Sequence, residues 1–245
     1  MDDRVRIRAI PAPLDAVFPQ AGAGFIGVLM LDTRFPRLAG DIGHAGAFGG
    51  AVRHRVVPGA VPRSVVTSAQ ALRASGLGAP FIEAARALTG EGALAITTSC
   101  GFLVLLQDEL QAAVPVPVVT SSLLQLPGLL AHEPQVGVLT ISAERLGEDH
   151  LLAAGVPRGR LVDVIVQGVD PDGPFARAIL GNEPSMDGEG ATRDVVQAAL
   201  ALRRRAPRLR SAVLECTNMP PRARAAGQAS GLRLISLFDV ERLGA

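Results

Sequence analysis

An α/β protein made of two pseudo-symmetric parallel-sheet subdomains, with its active site in the cleft between them, is the fold the sequence predicts on three observations. Short apolar, β-branched runs alternate with helix-like stretches. Several of those runs are apolar throughout, as strands covered by helices on both faces have to be. The parts also recur in order: GFIGVLMLDT at 24–33 and ALAITTSCGFL at 93–103 are echoed by QVGVLTIS at 135–142 and AVLECTNMPP at 212–221. Each half thereby sets its only cysteine, Cys100 or Cys216, at a similar distance beyond an opening glycine, Gly27 or Gly137.

The run at 25–31 is continuously apolar and reads as a buried strand. Residues 50–57 differ: Arg53 and Arg55 alternate with Val52, His54 and Val56, the period of a half-exposed strand. Proline at the start of 80–89 opens a helix, followed by a strand at 94–98, a helix at 102–113 and a strand at 116–119. The second half runs as a helix at 123–131, a strand at 135–140, a helix at 143–154 and a strand at 161–166. A helix at 191–205 ends in three arginines that offset its dipole, a strand follows at 212–215, prolines open a helix at 220–229, and a last strand covers 232–235. Glycine and proline mark loops at 38–50, 57–62 and 170–190, the last enclosing a short helix. Subdomains of 1–119 and 120–228 result, with 229–245 as a terminal segment packing back on the first.

Composition excludes several roles. The chain has 245 residues, 48% hydrophobic and 19% charged, enough to bury a sizeable core and too apolar for disorder. Arginine supplies every basic residue, and the net charge of +1 leaves no electrostatic footprint for nucleic acid. Tryptophan and tyrosine are absent, so the core is aliphatic and base stacking is not available. No apolar run reaches the ~20 residues of a membrane span, and the alternating charges of residues 1–19 do not form a signal peptide, so a cytoplasmic location is expected. Two cysteines this far apart fit neither a zinc site nor a Cys-x-x-Cys motif, and a disulfide goes against the expected compartment. No metal is expected. GAGFIG at 22–27 places its glycines before and inside a strand instead of after it, which argues against a dinucleotide site.

Both cysteines end an apolar strand, the edge where open parallel sheets bind ligands. A helix N-terminus beside each would favour a partly exposed thiolate. Two opposed thiols suit inversion of a carbon stereocentre, one taking the Cα proton and the other delivering one to the opposite face. The enolate-like charge then needs donors. Thr97, Thr98, Ser99 and the Gly101 backbone stand around the first cysteine, and Thr217 and Asn218 around the second. Thr140 closes the second Gly-Val-Leu strand, Asp32 with Thr33 closes the first, and Asp41 and His44 sit on the glycine-rich loop as substrate contacts. Hydroxyls at such junctions also serve as helix caps, and a loop histidine is often only solvated.

The segments ITTSCGFL and LECTNMP, with VGVLT between them, resemble the aspartate/glutamate/hydantoin racemase superfamily over residues 24 to about 237. The resemblance implies a cofactor-independent enzyme, catalytic cysteines at Cys100 and Cys216, and a small carboxylate substrate whose carboxylate is bound by the residues after each cysteine. One departure is informative. Glutamate and aspartate racemases follow their first cysteine with Asn-Thr, whereas Gly101 and Phe102 follow here, which removes two polar side chains and adds an apolar wall. The expected function is a racemase or epimerase of a small carboxylic acid, an amino acid or derivative. The alternatives are a maleate-type cis–trans isomerase or arylmalonate-type decarboxylase in the same cleft, or a non-catalytic two-lobed binding protein. No cofactor, nucleic acid or membrane partner is expected, and a homodimer is compatible with the reading.

Overall fold

A computed structural model describes residues 24–239. The N-terminal charged stretch and the last residues of the terminal segment, 1–23 and 240–245, lie outside the described residues. The first sheet contains β1 (Phe25–Leu31), β2 (Val52–Val57), β3 (Ala93–Thr98) and β4 (Val118–Val119), in the order β2-β1-β3-β4. The second contains β5 (Val136–Thr140), β6 (Val164–Gly168), β7 (Ser211–Leu214) and β8 (Arg233–Ile235), in the order β6-β5-β7-β8. Every pairing is parallel, and the two halves repeat one topology.

Around the first sheet lie α1 (Pro62–Val65), α2 (Ala69–Ala74), α3 (Gly78–Gly90) and α4 (Gln107–Ala113). The second half brings α5 (Leu126–His132), α6 (Glu148–Ala153), α7 (Pro174–Leu180), α8 (Gly188–Arg205) and α9 (Ala223–Ser230). α3 covers one face of the first sheet and Leu237 with Phe48 and Phe238 the other, and α5 and α8 pack on the second sheet, so β1, β5 and β7 are buried along their whole length. The repeat extends to packing. A Cβ on Gly27 would lie 2.7 Å from Ile96 and 3.0 Å from Leu88 of α3, and one on Gly137 2.7 Å from Leu202 of α8 and 3.0 Å from Ala212. In each half the glycine of the central strand admits a helix to close contact.

Local departures have local causes. The strand expected over 161–166 begins at Val164, because Arg158–Asp163 forms a 3₁₀ turn after Pro157 that leaves Val162 80% exposed. The helix expected over 143–154 is reduced to α6, since Gly147 adopts an extended conformation and restarts the chain. The 102–113 stretch divides into a 3₁₀ segment, Gly101–Leu106, and α4. Beyond α9, β8 extends the second sheet, while Leu237 packs with Val28, Met30 and Ile42 on the outer face of the first. No helix among the described residues is long and apolar enough to cross a membrane.

Candidate active site

Strand register makes the two cysteines equivalent. Gly27 pairs with Ile96 and Gly137 with Ala212, so positions 99 and 100 of the first half correspond to 215 and 216 of the second. The backbone repeats faithfully there: the Ser99 amide donates to the Leu29 carbonyl at 3.0 Å and the Glu215 amide to the Leu139 carbonyl at 2.8 Å. The side chains repeat as well. The Ser99 hydroxyl accepts from the Leu31 amide at 2.9 Å, and the Glu215 carboxylate faces the amide of Ile141, the matching residue of β5's end.

These junctions cross where the halves meet. Thr217 donates its hydroxyl to the Ser99 carbonyl at 2.6 Å. On the opposite side, a Cβ on Gly101 would stand 2.3 Å from the Glu215 carbonyl oxygen and 2.5 Å from its Oε1. Only a glycine fits after Cys100, because the glutamate of the other half occupies that space. Glu215 is 1% exposed, and Thr140 donates to its Oε2 at 2.7 Å.

One pocket collects these groups. Its polar wall is Ser99, Cys100, Gly101, Glu215, Cys216 and Asn218, and its apolar wall is Leu31, Phe35, Pro62, Val66, Ile141 and Ile179. The cavity itself is about 20 Å³, room for about one water, so the walls stand closed around the thiols. Both cysteines are free thiols. They are buried, at 8% and 6% exposure, instead of partly exposed as the sequence suggested. Burial is also the main cause that pushes both thiols up, followed by the charge of Glu215. The amides of Phe102 and Leu103 and the Arg37 guanidinium pull Cys100 the other way, and the Asn218 amide does so for Cys216, but desolvation wins. Each thiolate is therefore disfavoured at rest, the reverse of the expectation from helix N-termini. Burial also moves the Glu215 carboxyl up to about 7, against the Thr140 hydroxyl and the amides of Ile141 and Phe102 that favour its charge.

The other expected residues surround this pocket at varying remove. Asn218 accepts from the Cys216 thiol at 3.7 Å and donates to Asp41, which is buried and held by Arg37 at 3.1 Å and by the Gly43 amide at 2.7 Å. Arg37 also donates to Thr33 at 2.8 Å. Thr98 and Thr97 spend their hydroxyls on the carbonyls of Thr120 and Val119. Phe102 is fully buried and meets the His150 ring edge-on at 4.8 Å between centroids. Asp32 is exposed with its carbonyl bound by Asn182, and His44 is half-buried and accepts from the Gly46 amide. Glu215 was not among the residues expected; its adjacency to Cys216 and the bare Gly101 are the signals that mark it. Among the described residues no group of three or more His, Cys, Asp or Glu could hold a metal ion.

No protein-family model matches the chain. It is 30% identical over 244 residues to dimethylsulfoniopropionate lyase 7 of Emiliania huxleyi, covering 95% of this chain and 70% of that protein. A dimethylsulfoniopropionate lyase of a Durusdinium species of clade D is 29% identical over 214 residues, 84% of this chain and 69% of the relative. Among solved structures, unliganded arylmalonate decarboxylase superposes with a TM-score of 0.53 at 15% identity, covering 91% of this chain and 93% of that one. Glutamate racemase from Bacillus anthracis gives 0.54 at 17% identity, over 90% of this chain and 78% of that one.

Proposed function

The chain belongs to the family of the dimethylsulfoniopropionate lyases and has the fold of the aspartate/glutamate racemase superfamily, and from that premise we propose that it is an enzyme that removes the proton α to the carboxylate of a small β-onium acid, dimethylsulfoniopropionate or a close analogue. One observation carries this reading: the pocket is walled by two thiols, a carboxyl and apolar side chains, with no arginine among the described residues that line it. A sulfonium cation donates no hydrogen bonds, so its methyl groups suit apolar walls and its charge suits a neighbouring carboxylate. A dicarboxylate would instead bring like charge against Glu215.

The chemistry follows from the residues at the junctions. One cysteine, as thiolate, takes the α proton. The electron pair forms the Cα–Cβ double bond, the C–S bond breaks, and dimethyl sulfide leaves acrylate behind. Amides of the turns after the cysteines supply donors for the charge that develops on the carboxylate. The register-equivalent placement of Cys100 and Cys216 also supports a second reading, two-base racemisation of a small carboxylic acid.

Incubation with dimethylsulfoniopropionate, with dimethyl sulfide followed in the headspace and acrylate by NMR, tests the first reading. The same protein in deuterium oxide with a panel of chiral carboxylic acids tests the second. Dimethyl sulfide release lost in Cys100→Ser and Cys216→Ser supports elimination. Cα–H exchange with racemisation and no dimethyl sulfide would replace it.

A further inference from the structure

Elimination leaves the enzyme holding a proton that racemisation would return to its substrate. Resting on the elimination reading, the question is where that proton goes. Both thiols are disfavoured as thiolates, and among the described residues no cation lines the pocket to change this. Arg37 reaches Cys100 but is itself paired with Asp41, and Asp41 opposes charge on Cys216. Arg222, buried above the Phe175 ring, senses Cys216 and Asp41 and donates to the Asn218 carbonyl. His150 lies behind Phe102 and does not line this pocket. Glu215 is the described group left in the lining with both thiols: its charge acts on each, Thr140 and the amides of Ile141 and Phe102 orient it, and Gly101 makes room for it.

We propose that Glu215 is the proton acceptor of the thiol pair, a positioning and proton-carrying group that lets one cysteine become a thiolate without adding net charge to the pocket. At rest the carboxylate is charged and both thiols keep their protons. A thiol proton passes to Glu215, so the single negative charge moves to sulfur. The thiolate then takes the substrate's α proton as dimethyl sulfide departs, leaving two thiols and a protonated Glu215. Loss of that proton to water on product release restores the resting state. The burial that moves Glu215 up to about 7 supports this role, because a carboxyl of ordinary acidity would be a poor acceptor for a thiol.

The test reads thiol chemistry separately from turnover. Alkylation of Cys100 and Cys216 by iodoacetamide is measured against pH, site by site by mass spectrometry, beside dimethyl sulfide release for the same proteins. In the parent protein thiolate reactivity rises about tenfold per pH unit and then breaks near 7, where Glu215 ionises and opposes further thiolate. Glu215→Gln removes the break, so its thiols alkylate faster than the parent's in alkaline buffer while turnover falls about 10²-fold. A merely structural role would depress both. Thr140→Val, which keeps the glutamate but deletes a donor to its charged form, moves the break upward and serves if Glu215→Gln does not fold. A break unmoved in Thr140→Val, or a Glu215→Gln protein with parental alkylation and turnover profiles, overturns the proposal. Absence of dimethyl sulfide from the parent protein refutes the elimination reading, while the alkylation break still decides the role of Glu215.

Discussion

The two halves share a strand order, a packing glycine and the backbone hydrogen bonds at the cysteine junction, yet they differ in the residue before the cysteine. In the first half Ser99 is short and its hydroxyl is used by the Leu31 amide. In the second, Glu215 meets the equivalent Ile141 amide and is long enough to reach across to Gly101 of the other half. A symmetric scaffold thus delivers two similar thiols, and one substitution at an equivalent position makes the pocket asymmetric in charge. The comparison teaches that topology decides where the sulfurs go, whereas their protonation is decided by the neighbour that burial places beside them.

Removing either sulfur breaks the comparison most severely. Cys100→Ser and Cys216→Ser are each expected to lower dimethyl sulfide release by about 10³-fold or more, with unchanged circular dichroism. Equal full activity in either variant would remove that thiol from the chemistry. Next comes Gly101→Ala, whose new methyl meets the Glu215 backbone carbonyl, which cannot rotate away as a side chain could. Destabilisation of about 1–3 kcal/mol by thermal unfolding is expected, with a displaced pH break.

These residues also show what was legible in sequence. The repeat was readable because the Gly-Val-Leu strands and the cysteines recur at matched spacing, and that pattern alone brings Cys100 and Cys216 to one pocket. The short helices α1 and α2 were not anticipated, since four and six residues give too little apolar period to register. The thiols were expected partly exposed on the strength of local backbone dipoles; burial in the contact between halves is a tertiary property, and it reverses their electrostatics. Glu215 escaped notice because a lone acid at a strand end is ordinary until the opposing Gly101 is seen to make way for it.

Smaller effects sharpen the asymmetry. The unfolded chain gives up the Glu215 proton near 4.5 and the folded chain at about 7. Between those values the unfolded state binds fewer protons, so this contribution to stability is full below the window and is lost as pH rises through it. Denaturant unfolding across that range is expected to show the decline in the parent protein and to lose this component in Glu215→Gln. Thr217→Val removes the hydrogen bond to the Ser99 carbonyl, and a cost of about 1 kcal/mol in stability with a modest change in kcat is expected. A large fall in kcat with stability intact would instead make Thr217 a donor to the reacting carboxylate.

The most direct measurement is infrared titration of the Glu215 carboxyl in the resting protein, the Glu215→Gln spectrum being subtracted at each pH. A protonated-carboxyl stretching band that persists through mild acid and disappears with a midpoint of about 7 is the expected result, marking a proton-holding group in one half where the other carries only Ser99. A band already lost at the ordinary glutamate value near 4.5 would contradict it, leaving Glu215 a fixed charge and the thiols without a proton acceptor.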